Sequence, residues 1–420
     1  MFVAGSPEVA ARGRGRRGAA NARGAAGVLV VLAWACGPDG ESRRVVDADG
    51  GLEADEGTAP DAAVDAGSEG EADGGADRER EAAGDEGGSD SGDGGSGSRW
   101  TVPPTGQDAC YDEAAVLAEC PGGTDPPSCG APALRFCGQD AQYRDAERAL
   151  ICRSAGGDPV ACATLPTAGP REVVEDSLTG LVWQRAFAAG LSWTEASAAC
   201  ASLREGALGG RTDWRLPTIY ELATILDLGR AAPAIDTDAF PGTATMPGWW
   251  SATPDAERPE LAWGVGFHAG ELNEAPVGMP AFVRCVAGPS LLGLEGPGRF
   301  DVATGPDGTV VFDGATGLAW QADVATALRW EGALAHCEEL VLGGADDWRL
   351  PNVAELRSLV RVDRAGVKTS FPGAPPDSFW SSTTSAGDPR AAWVVSFASG
   401  HVFPVSKTTT FSARCVRGTS

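Results

Sequence analysis

Thr179-Gly180-Leu181-Val182-Trp183-Gln184 recurs in the same chain as Thr316-Gly317-Leu318-Ala319-Trp320-Gln321, 137 residues later. Trp193, Cys200 and Leu203 are matched at that offset by Trp330, Cys337 and Leu340. Asp213-Trp214-Arg215-Leu216-Pro217 returns as Asp347-Trp348-Arg349-Leu350-Pro351 at an offset of 134, with Glu221-Leu222 followed by Glu355-Leu356. Phe240 matches Phe371. Trp250-Ser251, Ala262-Trp263 and Arg284-Cys285-Val286 match Trp380-Ser381, Ala392-Trp393 and Arg414-Cys415-Val416 at an offset of 130. An offset that only shrinks is what loop deletions leave between two homologous domains. Each unit is long enough for its own core, so the pattern is a duplication and not a solenoid.

Both copies share one local pattern. Ser192-x-x-Glu195 is a capping box that opens an amphipathic helix carrying Trp193, Ala196, Cys200 and Leu203 on one side. Thr218-x-x-Glu221 and Asn352-x-x-Glu355, each after a proline, open a second helix. The apolar face of that helix is expected to hold Ile219, Leu222 and Leu226 in copy one, and Val353, Leu356 and Val360 in copy two. Trp263, Val265 and Phe267 alternate as strand residues, as do Trp393, Val395 and Phe397, and Gly270 or Gly400 ends each run in a turn. Phe282-Val283-Arg284-Cys285-Val286 reads as a closing strand. The expected fold class is α+β, two short helices followed by an antiparallel sheet in each of two tandem modules, 169–289 and 297–420.

The ends of the chain differ in character. Residues 1–36 hold five Arg and one Glu, with Arg12, Arg14, Arg16, Arg17 and Arg23 ahead of the apolar run from Ala25 to Trp34. This is the layout of an export signal, too short to span a bilayer. Ala33-Trp34-Ala35 fits an ordinary signal-peptidase site. Cys36 before a Gly/Asp/Glu-rich spacer resembles a bacterial lipoprotein, in which Cys36 carries the lipid. Residues 37–99 hold nineteen acidic against five basic residues and almost nothing large to bury, so 37–104 reads as a disordered, self-repelling linker. Its Asp/Gly spacing has no fixed period and lacks the pattern of a calcium-binding loop. The formal charge of −25 argues against nucleic acid as a partner, and contact with a membrane is expected through the lipid alone.

Three histidines (His268, His336, His401) are too few for multi-histidine metal chemistry, and no cofactor is expected. Cys200 on the first helix and Cys285 on the last strand, repeated by Cys337 and Cys415, are expected to form one disulfide per copy, worth about 3–4 kcal/mol under the loop-entropy model. Cys110, Cys120, Cys129, Cys137, Cys152 and Cys162 fill a cysteine-rich stretch, 105–168, expected to extend the first module. Fifteen pairings are open to them, with sequence neighbours the expected choice, and a zinc site lacks CxxC spacing or a nearby histidine. With ten cysteines paired, the eleventh is Cys36.

TGLxWQ, a Cys-bearing helix, DWRLPTxxEL, a WSSTxx turn, AWxVxFxxG and a final RCVR together resemble the Lcl C-terminal domain family, over about 171–288 and 300–418. Thr105-Gly106-Gln107, Cys110-Tyr111-Asp112, Cys120-Pro121 and Gly138-Gln139-Asp140-Ala141-Gln142-Tyr143 resemble the N-terminal extension of such proteins. The resemblance implies a C-type-lectin-like fold, an extracytoplasmic place and, for the collagen-like adhesin that names the family, binding of sulfated polysaccharides. It brings no catalytic residues. Copy one departs from the motif at Trp250-Ser251-Ala252-Thr253, and no collagen-like tract is present.

The motif tryptophans are expected in the core rather than as sugar platforms. Asp213–Arg215 and Asp347–Arg349 are expected as local ion pairs. Arg357, Arg361, Arg364 and Lys368 fall at i, i+4, i+7 and i+11, a candidate anionic-ligand face if a helix runs that far. Copy one has Ala223, Asp227, Arg230 and Ala234 there. The functional expectation is an exported, lipid-anchored or secreted adhesion protein of the bacterial cell envelope that binds a polysaccharide or a protein. An enzyme of the formylglycine-generating, sulfatase-modifying type is the alternative and would require a pair of free cysteines; a purely structural envelope role is another.

Overall fold

The computed structural model describes residues 100–143, 146–165, 167–291 and 298–418. The export signal, Cys36 and the acidic linker up to residue 99 lie outside the described residues. Module 1 is led by a hairpin, β1 (Leu150–Arg153) and β2 (Pro159–Val160). It continues with β3 (Val173–Asp176), β4 (Val182–Gln184), β5 (Ala188–Leu191), helix α1 (Trp193–Glu205) and helix α2 (Ile219–Leu222). It ends with β6 (Trp249–Pro254), β7 (Leu261–Gly266), β8 (Glu271–Pro276), β9 (Ala281–Val283) and β10 (Val286–Ala287). Module 2 repeats the order, with β11 (Phe300–Gly305), β12 (Gly308–Asp313), β13 (Leu318–Gln321), β14 (Ala325–Leu328), α3 (Trp330–Glu338) and α4 (Val353–Ser358). Then follow β15 (Ser378–Ser385), β16 (Asp388–Ser396), β17 (Val402–Ser406), β18 (Phe411–Ala413) and β19 (Val416–Gly418).

The balance is more β than the expected α+β reading. Both second helices form behind their capping boxes, where Thr218 and Asn352 accept from the N–H of Glu221 and Glu355. They stop at Leu222 and Ser358, and β-branched residues follow: Thr224 and Ile225 in one copy, Val360 and Val362 in the other. Leu226 and Val360 are buried, but beyond the helix that was expected to present them. The closing strand also divides. Phe282 and Val283 stay in the main sheet while Val286 crosses to pair with Trp183. At the crossing, buried Arg284 donates to the carbonyls of Gln184 and Arg185, and Arg414 does the same to Gln321 and Ala322.

The main sheet has ten strands in the order β14-β18-β15-β16-β17-β8-β7-β6-β9-β5. Each half mirrors the other, because β14, β18, β15, β16 and β17 are the copy-two counterparts of β5, β9, β6, β7 and β8. The modules therefore join edge to edge by equivalent strands, antiparallel, with Val402 opposite Leu272. Trp263 and Trp393, equivalent residues, lie in one apolar cluster with Leu226, Leu228 and Phe267 of module 1 and Val362, Phe397 and Val402 of module 2. The exchange is reciprocal. A Cβ on Gly400 would stand 3.3 Å from the Trp263 ring and 2.7 Å from Val362. One on Gly270 would stand 3.6 Å from the Trp393 ring and 2.3 Å from Leu228. Both glycines also sit at positive φ, +84° and +114°, so these turns need glycine on two counts. Arg357 donates across the junction to the carbonyl of Ala223, its own counterpart position, at 3.1 Å. Tyr220 Oη donates to Asp363 and accepts from the N–H of Val362, each at 3.0 Å.

Five disulfides are formed: Cys110–Cys120, Cys129–Cys137, Cys152–Cys162, Cys200–Cys285 and Cys337–Cys415. That number points to an oxidising, extracytoplasmic environment. Among the described residues no helix is long and apolar enough to cross a membrane.

The cysteine-rich stretch does not extend the first module as a whole. Residues 146–165 do, through β1 paired with β3 and Arg148 bound to Asp176 at 2.8 Å. Residues 100–143 cap module 2, while Thr105 also accepts from the N–H of Leu228 in module 1 at 2.6 Å. Gln107 makes two bonds to the backbone of Thr384, donating to its carbonyl and accepting from its N–H at 2.8 and 2.9 Å. Phe136 stacks on Trp330, and Arg135 bonds Glu331 at 2.6 Å. Module 1 has Pro254 where module 2 has Thr384, and a proline has no N–H to give to Gln107.

Lys407 is sealed under this cap, 3 % exposed, with its ammonium 3.9 Å from the Trp330 ring centre and donating to the carbonyl of Asp112 at 2.7 Å. Burial pulls its pKa down to about 7 from 10.5, against the nearby carboxylates Asp112, Asp388 and Glu113. Between about pH 7 and 10.5 the unfolded chain then binds more protons at this residue than the folded one. The penalty is complete below pH 7 and fades as pH rises. Wild type should therefore gain stability relative to Lys407→Met's own profile between pH 7 and 9.5. Urea midpoints of both proteins across that range check it, and parallel profiles would refute it.

Candidate binding site

Arg349 of the second DWRLP motif does not pair with Asp347. Its guanidinium makes two bonds to Glu355, at 2.7 and 2.5 Å, while Asp347 pairs with Arg417 at 2.7 Å. Module 1 repeats this, with Arg215 on Glu221 at 2.6 Å and Asp213 on Arg211 at 2.6 Å. The expected Asp–Arg pairs within the motif are thus replaced. Glu221 and Glu355 are 0 % and 5 % exposed, and a buried carboxylate left unpaired costs far more than a solvated aspartate, so it takes the arginine. The same glutamates close the capping boxes by accepting from the N–H of Thr218 and Asn352 at 2.8 and 2.9 Å. The motif is a buried strut that fixes the start of α2 and α4.

What covers this strut differs between the copies. In module 1 the inter-module linker lies over it. Leu291 N–H donates to Glu221 at 3.2 Å, and Arg215 reaches the carbonyl of Pro289 at 3.3 Å. In module 2 the cap approaches but leaves a cavity of about 340 Å³, lined by Trp100, Asp140, Tyr143, Thr316, Arg349, Asn352 and Glu355, among others. The Arg349 guanidinium stands 4.9 Å from the Tyr143 ring centre. Tyr143 Oη is hydrogen-bonded to Glu338.

The charges here are strongly biased by burial. Asp140 is 4 % exposed, and its carboxyl is pushed up to about 6 by desolvation, against the donated bonds of Thr383 at 2.6 Å and Thr105 at 2.8 Å. Burial raises the pKa of Glu338 and, joined by the Glu338 charge, that of Tyr143, which keeps the phenol a donor. Burial works against the Arg349 charge but Glu355 outweighs it, so Arg349 stays a cation. Trp100 keeps a buried indole N–H without an acceptor among the described residues. The cavity is thus edged by two aromatic rings, the Asp140 and Glu355 carboxyls, the Arg349 guanidinium and the unpartnered Trp100 indole N–H, groups of the kind that meet a polyhydroxylated ring.

The four cations expected as an anionic-ligand face are not brought together. α4 ends at Ser358, before three of them. Arg357 is 8 % exposed and turned into the module junction, and Lys368 is 3 % exposed and bonded to Glu257 of module 1 at 3.2 Å. Arg361 pairs with Asp363 at 2.6 Å, and Arg364 is exposed in the loop beyond. An i, i+4 spacing implies a shared face only while the helix lasts. The motif tryptophans lie in the core: Trp214, Trp250, Trp348 and Trp380 are at most 2 % exposed. All ten described cysteines are in disulfides, so none of these ten supplies a free thiol. Trp100, Asp140 and Tyr143 were not legible as site residues, because they lie far from the arginine they meet. The signal available was the lone buried-type Glu six residues after each DWR arginine, which demands a cation.

The Lcl C-terminal domain model matches residues 172–287 and 309–417. No curated protein matches the chain.

Proposed function

The chain belongs to the Lcl C-terminal domain family in two tandem copies, and from that premise we propose an exported surface protein that binds a polysaccharide. In this reading the modules are C-type-lectin-like, Cys36 carries a lipid anchor, and the acidic stretch holds the folded region away from the membrane. The protein works by binding and not by catalysis. One observation carries the proposal. Module 2 keeps a polar, aromatic-edged cavity over its Arg349–Glu355 strut, and module 1 fills the matching space with its own linker. Its volume, about 340 Å³, lies at the small end of ligand cavities and suits one or two sugar rings.

A glycan array probed with the full chain tests this. Binding is expected to weaken by roughly tenfold or more in Trp100→Ala, a loss of about 1.4 kcal/mol, with the urea midpoint little changed. Trp100→Phe should recover part of it by restoring the ring without the N–H. A wild-type protein that binds no glycan on the array, or a Trp100→Ala variant that binds as wild type does, would remove this reading.

A further inference from the structure

β11 is the outer edge of the four-stranded sheet β11-β12-β13-β19, and no described strand pairs with its free side. Its counterpart in module 1, β1, is covered on that side by β2, whose hairpin is closed by the Cys152–Cys162 disulfide. Module 2 replaces that excursion with a two-residue turn, Pro306-Asp307, between Gly305 and Gly308. The edge is left six residues long, unbulged and nearly uncharged: Phe300-Asp301-Val302-Ala303-Thr304-Gly305, without the lysine or proline that usually guards such an edge. Val302 is 49 % exposed at its middle.

We propose that β11 is a self-association edge, and that two copies of this chain pair antiparallel through it. The register follows from the hairpin. Gly305 and Gly308 close the two-residue turn, so bonds to β12 come from residues 301, 303 and 305. Phe300, Val302 and Thr304 then direct their N–H and C=O groups outward. Antiparallel pairing about a twofold axis at Val302 sets Val302 against its mate and Phe300 against Thr304. It also sets Asp301 against Ala303, so the two aspartates never oppose each other. The chain already uses this solution once, joining its own two modules edge to edge through β8 and β17. A dimer would double the polysaccharide cavities on one particle and raise avidity without new contacts, but the pairing stands whether or not those cavities bind sugar.

Sedimentation of the full chain over a range of concentrations tests it. Wild type is expected to show a concentration-dependent dimer. Val302→Pro should remove it while keeping the β11–β12 hairpin, because the lost N–H points away from β12. Val302→Asp should also be monomeric, by placing like charges across the axis, and mixing it with Val302→Lys should restore a heterodimer. A wild type that stays monomeric, a dimer that survives both Val302→Pro and Val302→Asp, or a failure of the mixture to pair would each overturn the proposal.

Discussion

Replacing Trp393 by alanine is expected to destabilise the folded region by about 3–5 kcal/mol, the range for emptying a large aromatic from a closed core. Trp393 is 1 % exposed and its side chain reaches the turn at Gly270 of the other module. The apolar cluster it belongs to contains residues of both modules, so the cavity is felt on both sides of the junction. The loss should therefore appear as one shifted transition and not as the early melting of module 2. Far-UV circular dichroism against urea, with limited proteolysis followed by mass mapping of the cuts, separates these outcomes. Cuts confined to residues 298–418 under conditions where module 1 resists would mean that the modules are energetically separate. Trp100→Ala serves as the control, since Trp100 lies in the cap and outside that cluster.

The duplication, the capping boxes and the helix-to-strand disulfides were legible because each rests on residues that repeat at a fixed spacing or sit close in sequence. Ser192 with Glu195 and Cys200 with Cys285 appear in the structure as the spacing implies. The junction was not legible. Trp263 and Trp393 read correctly as inward-facing strand residues, but alternation says only that a face is buried, not which surface buries it. Gly270 and Gly400 read as turn residues, and their second role, making room for the opposite tryptophan, depends on contact between halves of the chain 130 residues apart. The basic helical face failed for a local reason. The i, i+4 spacing runs past Ser358, where the helix ends and the β-branched Val360 and Val362 follow. The cap went to module 2 through single-residue differences, Thr384 against Pro254 above all, which carry meaning only once Gln107 is placed beside them.

Arg349→Leu is expected to cost about 3–5 kcal/mol at neutral pH, because Glu355 is left charged and nearly unexposed with no cation beside it. The pH dependence identifies the cause. A buried carboxylate with no cation beside it is disfavoured in its charged form, so the folded variant takes up a proton more readily than the unfolded chain. The penalty is then full above the folded pKa and fades as pH falls towards the unfolded one. The variant should thus recover relative to wild type as the pH is lowered from neutral, as read from urea midpoints. Adding Glu355→Gln should restore much of the stability at pH 7, since the amide oxygen can still accept from the N–H of Asn352 and no charge remains to be stranded. If the two substitutions were simply additive, Arg349 would be acting through packing and not as the partner of Glu355. The repaired double variant also separates fold from site. It keeps the start of α4 but takes the guanidinium out of the cavity beside Tyr143, so glycan binding should stay lost at restored stability. The same double change at Arg215 and Glu221 should leave binding intact, because there the linker at Pro289 and Leu291 already occupies the space.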